Sequence, residues 1–134
     1  MRIRRLRRDT RGQALLEFAL ILPILLLLVL GIVEFGRAWN LAQMMSDVAR
    51  EGTRRAVIAD LSITEQSVKD FMALKLETAG VPIQAITIEF SKTGGNWHTD
   101  GQQTGTIRIP YSWMFFGKAF PPITLTSSFT MRME

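Results

Sequence analysis

RGQALLEFALILPILLLLVLGIVEF, residues 11–35, is the stretch on which the reading of this chain turns. No polar side chain occurs from Phe18 to Val33, and the wider stretch 14–33 holds a single acid, Glu17. As a helix rising about 1.5 Å per residue, it reaches about 30 Å, the thickness of a hydrocarbon core. The spacing predicts a transmembrane helix. Glu17 then needs a reason, because a carboxylate at mid-membrane costs about 2.5–3.5 kcal/mol on insertion scales and less near the end of a span.

The charge distribution orients that helix. The net charge is +4, yet residues 1–11 carry Arg2, Arg4, Arg5, Arg7, Arg8 and Arg11 against Asp9, a local +5. The remainder is −1, so the basicity is a short flank against an apolar run. A nucleic-acid binder spreads its cations over a folded face; here the asymmetry predicts a cytoplasmic N-terminus and a C-terminal part beyond the membrane. The lipid bilayer, not nucleic acid, is the expected contact.

Three readings of the N-terminus follow. A secretory signal has an apolar core of about 7–15 residues before a small-x-small cleavage site. The uncharged run here is longer, and the nearest such triplet, Gly36 to Ala38, follows Glu34. A plain uncleaved signal anchor explains arginines and span and treats Glu17 as a tolerated interfacial acid. A prepilin-type leader explains more. Cleavage after Gly12 would make Gln13 the new N-terminus and Glu17 the fifth mature residue. An ammonium created at a membrane-buried helix start can pair with the Glu17 of a neighbouring subunit, and paired charges in low dielectric are far cheaper than lone ones.

The chemistry of catalysis is missing from the sequence. There is no cysteine, which excludes disulfides and thiolate metal sites, and His98 is the single histidine. A calcium loop using Asn96 and Asp100 lacks the acid density of an EF-hand. His98 has no orienting acid nearby, and no glycine loop links a strand to a helix in the manner that cradles phosphate. No enzyme activity, metal or cofactor is expected.

Past the span, residues 34–60 contain no proline and keep a helical apolar spacing: Phe35, Trp39, Ala42, Met45, Val48, Ala49, Gly52, Ala56. One helix from about Gln13 to Ala59 is predicted, with Glu34 and Glu51 pairing with Arg37 and Arg55 on its surface. Ser62 and Glu65 read as a capping box opening a second helix that ends near Thr78, before Gly80 and Pro82, with Val68, Phe71, Met72 and Leu76 inward. The period then changes to two. Ile86, Ile88 and Phe90 mark one strand, residues 106–111 a second with Pro110 at an edge or strand end, and 123–133 a third. The expected fold class is α+β: a long N-terminal helix, a short second helix and a three-stranded antiparallel sheet. Its parts are a basic cytoplasmic leader (1–12), a transmembrane helix (13–36) and a head (37–134). Two candidate contact loops stand out, a glycine-rich one over 91–105 containing Trp97 and an aromatic one over 112–122. In the second, Trp113, Phe115 and Phe116 either fill the gap between sheet and helix or meet a partner.

The combination of Gly12, Glu17-Phe18-Ala19, Pro23, the leucine run and Glu34-Phe35-Gly36-Arg37 resembles the TadE-like minor pilins of Tad (Flp, type IVc) pilus systems. Ala49-Arg50-Glu51-Gly52 is similar to an element of the same family. Major pilins of such systems carry Glu-Tyr where this chain has Glu17-Phe18, which suits a minor pilin. The resemblance implies a pilin-like fold and processing by a dedicated prepilin peptidase between Gly12 and Gln13. It also implies residence in the inner membrane or the extracellular pilus, and assembly with other pilins, a second minor pilin, a TadG-like protein and an inner-membrane platform. The alternative is an uncleaved, signal-anchored periplasmic scaffold or adhesin.

Overall fold

The structure, a computed structural model, describes residues 10–58, 63–94, 101–117 and 119–133. The leader through Asp9, the cap position Ser62, and Asn96, Trp97, His98 and Asp100 lie outside the described residues. The architecture is α+β, as the change of period predicts: a long helix, a short one, a 3-10 turn and three strands.

Helix α1 (Thr10–Ala56) is continuous over 47 residues, about 70 Å. It begins three residues before the expected start, and its last turn carries Arg54 and Arg55, cations that suit the negative end of the helix dipole. It also runs through Pro23, whose missing amide leaves the Ala19 carbonyl without its usual partner. From Gly12 to Val29 every residue is exposed, so no described part of the head covers the apolar half. Such a surface requires lipid or other apolar helices around it.

Farther along, α1 enters the head. Met45, Val48, Ala49, Gly52 and Ala56 are buried at the spacing of one helix face. Phe35, Trp39 and Ala42, expected on that stripe, instead lie outside: Phe35 is 67% and Trp39 58% exposed, and the two rings stack 6.0 Å apart. The described part of the head stops short of that side of the helix, which leaves these rings outside the core.

Helix α2 (Glu65–Thr78) is capped by Thr64, not Ser62. The Ser67 amide donates to Thr64 Oγ1 at 3.2 Å and the Thr64 amide to Ser67 Oγ at 3.1 Å. Glu65, expected to close the box from Ser62, sits in the first turn and pairs with Lys69 at 2.6 Å. The register follows burial of Val68, Met72 and Leu76, while Phe71 is half-buried. The helix ends as expected: Gly80 has a φ of 90°, and the Val81 amide reaches back to the Leu76 carbonyl at 3.0 Å.

Strands β1 (Thr87–Thr93), β2 (Gly101–Tyr111) and β3 (Ile123–Met133) form an antiparallel sheet in chain order. Within the loop expected over 91–105 the described residues are mostly strand, because Ser91, Lys92 and Thr93 pair with Thr104, Gln103 and Gln102. Polar, glycine-rich composition hid the alternation there. Pro110 lies at the end of the central strand, past the last β1 pair, Thr87 with Arg108. One sheet face buries Ile107, Ile109 and Tyr111 against α1 and α2; the other carries exposed polar pairs such as Arg108 with Glu89, 2.5 Å apart.

Small residues let the layers approach. A Cβ on Gly105 would stand 2.6 Å from Thr53 Oγ1, and one on Gly52 would stand 2.2 Å from Met72 Sδ. The Thr53 hydroxyl donates to the Ala49 carbonyl at 2.7 Å, with the Phe129 carbonyl at 3.3 Å.

Candidate functional site

Two carboxylates bracket the apolar span, about 25 Å apart along the helix. Glu17 lies on the exposed surface of α1, where Gln13 Nε2 donates to its Oε1 at 3.2 Å. The four-residue spacing brings the two side chains together on one face, and the contact softens the penalty of an acid at the span's start. Gly12 and Gln13, the expected cleavage pair, are both within the helix, as is Phe18, which is 58% exposed.

Glu34, the first residue after the apolar run, is 1% exposed. Its Oε1 accepts from the Tyr111 hydroxyl at 2.6 Å, the Met114 amide at 3.0 Å and Arg37 Nη1 at 3.2 Å. Oε2 accepts from the Phe115 amide at 3.3 Å. The Arg37 pairing is the one expected from the sequence; the other three donors come from the end of β2 and the segment after it. Burial, and then the hydrogen bond to Glu34, hold the Tyr111 phenol above its ordinary value of 10.0. The folded state therefore grips this proton more tightly than the unfolded chain. The stabilisation is complete below the unfolded value and is lost as pH rises through the folded one. With four donors on one carboxylate, the chemistry here is clamping: Glu34 ties residues 111–115 to the helix where it leaves the apolar span.

The clamped segment is aromatic. Trp113 Nε1 donates to the Pro121 carbonyl at 2.8 Å, and its ring meets Tyr111 edge-on at 5.6 Å. Phe116 meets Phe120 edge-on at 6.2 Å. Trp113 and Phe116 are half-buried, whereas Met114, Phe115 and Phe120 are exposed. The expected loop thus divides, with two rings packed and three apolar side chains outward. Beside it, between Arg37, Leu41 and Met44 on one wall and Ile109 and Pro122 on the other, lies a cavity of about 530 Å³.

Farther up α1, Glu51 pairs with Lys75 of α2 and not with Arg55. Arg55 instead lies over the Phe71 ring, 3.9 Å from its centroid. Packing of α2 supplies both a cation and an aromatic face, which outcompete the local pair. Among the described residues no group of three potential metal ligands converges.

Residues 12–54 match the family model for TadE-like protein. Over that third of its length the chain is similar to TadE-like proteins. Neither curated proteins nor solved structures gave a match. The matched segment holds Glu17, Pro23, Glu34 and Arg37, and ends inside α1. Tyr111, Met114 and Phe115, the partners of Glu34, lie outside it. Sequence reading placed Tyr111 in the second strand, 106–111, but gave it no partner. The available signal was a lone tyrosine on the strand that must return to the acid at the span's end.

Proposed function

We propose that this protein is a TadE-like minor pilin or pseudopilin that primes or caps assembly of a Tad pilus by packing α1 against the helices of other pilins. The TadE-like match over residues 12–54 supports association with a Tad pilus system. The observation that carries the assembly reading is the bare apolar half of α1: a helix exposed from Gly12 to Val29 has its natural neighbours in lipid or in other such helices. The arginine flank orients the anchor with its N-terminus in the cytoplasm and its head in the periplasm. A prepilin peptidase cuts between Gly12 and Gln13. Glu17 then pairs with the new ammonium of a neighbour, exchanging its Gln13 contact for a charged one. A second minor pilin, a TadG-like protein and the assembly platform are the expected partners.

Glu17→Ala tests the charge pair. Breaking one half of a pair in low dielectric is strongly unfavourable, so incorporation into filaments falls about tenfold or more at near-normal expression. Wild-type incorporation refutes the pair.

A second reading has its own observation. Glu17 already accepts a hydrogen bond within its own chain, and α1 runs unbroken through Gly12 and Gln13. An uncleaved, signal-anchored scaffold or adhesin needs nothing more. The mature N-terminus, measured by intact mass and terminal peptide analysis from native cells, separates the two. A chain starting at Gln13 is the expected result; one retaining the arginine flank leaves the scaffold.

A further inference from the structure

We propose that the aromatic stretches 112–117 and 119–122 form a foot that rests on the headgroup layer of the bilayer crossed by α1, with Met114, Phe115 and Phe120 entering the lipid interface. The proposal relies on the membrane reading of residues 14–33.

Position comes first. The Met114 and Phe115 amides are bonded to the carboxylate of Glu34, the residue that ends the apolar run. Helix side chains lean toward the N-terminus, so this carboxylate lies over the turn that precedes it. Leu30 and Gly31, in that turn, are the first residues along α1 to be half-buried. The segment is therefore pinned at the level where hydrocarbon gives way to headgroups.

Its composition suits that level. Met114 is 67%, Phe120 56% and Phe115 45% exposed, an apolar surface that the described head leaves uncovered. Trp113 and Tyr111 stand behind them with their polar atoms bonded, and Trp and Tyr are the residues enriched at membrane interfaces. Phe35 and Trp39, exposed on α1 at the same level, extend the aromatic belt onto the helix. The Arg37 side chain, 46% exposed, adds a cation suited to lipid phosphates. Continuity with the apolar span selects the bilayer as occupant over another protein. Foot and span meet the same bilayer, and the foot fixes the tilt of the head on its anchor.

The absence of cysteine permits single labelling sites. The 134-residue chain is placed in nanodiscs of phosphatidylcholine and phosphatidylglycerol, one copy per disc, with a spin label on Met114→Cys. Matching labels on Leu25→Cys in the span and Thr126→Cys on the exposed face of β3 serve as references. The ratio of collisions with oxygen to collisions with a water-soluble nickel chelate is expected to be several-fold higher at 114 than at 126, and below that at 25. A value at 114 equal to that at 126, with 25 in lipid, overturns the foot and leaves the anchor. Water exposure at 25 overturns both. Shielding at 114 that occurs only in discs holding several copies identifies a neighbouring chain and also overturns the foot. A measurement that leaves the segment unaltered uses native Trp113 in a Trp39→Phe, Trp97→Phe chain. Quenching by lipids brominated close to the headgroup is expected, and absence of quenching at every bromine depth refutes the contact.

Discussion

Glu34→Ala releases the aromatic segment from the helix. Removing the carboxylate strips the acceptor from the Met114 and Phe115 amides, from Arg37 and from the shorter bond of the Tyr111 hydroxyl. The amides lie in an irregular segment with no sheet ladder to replace it. Hydrogen exchange at Met114 and Phe115 should rise on the order of tenfold to a hundredfold, while exchange in the middle of β2 stays close to wild type. Graded variants apportion the clamp. Tyr111→Phe removes one donor and leaves both amides held, so its effect on them is smaller. Arg37→Ala removes a half-exposed partner and has the least effect. Unaltered protection of the two amides in Glu34→Ala would mean that the Trp113, Phe116 and Phe120 contacts hold the segment without the acid.

Gly52→Leu forces α1 and α2 apart. Even a methyl at this position would stand 2.2 Å from Sδ and 2.5 Å from Cγ of Met72, a side chain with no exposed surface. The far methyl of Met72 can swing away, but Cγ is held close to its own backbone, and Val68 and Leu76 sit one turn to either side on the same buried face. Overpacking of this kind costs about 1–3 kcal/mol and sometimes more, and leucine belongs at the upper end. Glycine's low helix propensity, about 1 kcal/mol below alanine, returns only part of that. Denaturant unfolding of the detergent-solubilised protein should therefore show a destabilisation of about 2–3 kcal/mol. A reversal distinguishes overpacking from other causes. In a Met72→Ala background the obstruction is gone, so Gly52→Ala should stabilise by about 1 kcal/mol through propensity alone. If Gly52→Ala destabilises equally in both backgrounds, contact with Met72 is not the reason for the glycine.

These variants fall at places the sequence reached unevenly. Gly52 was legible as a member of a helical face and as part of a family-like element, but not as the point where two helices touch. That depends on which residue of α2 lies opposite. Ser62 and Thr64 are both competent caps two residues apart, and burial of Val68, Met72 and Leu76 chose between them. Polar residues 91–93 gave no two-residue alternation, so the ladder they form with 102–104 was invisible until β2 was seen to begin at Gly101.

The ionic partners divide by distance. Glu34 with Arg37 was readable because helix geometry joins residues three apart; Tyr111 was not, because 77 residues separate it from Glu34. Glu51 misled for the same reason, since its local partner Arg55 met competition from Lys75, 24 residues away.

By itself the sequence determined the apolar span, its charged flank, the continuous helix, the stop at Gly80 and the two-residue period of the sheet. Each is a local pattern, set by hydropathy, charge and backbone preference within a few turns or one strand. The tertiary structure alone decided which acid is buried, which side of α1 stays bare, and where the aromatic segment is tied. Those depend on contacts between distant parts of the chain, which competing local pairings cannot foretell.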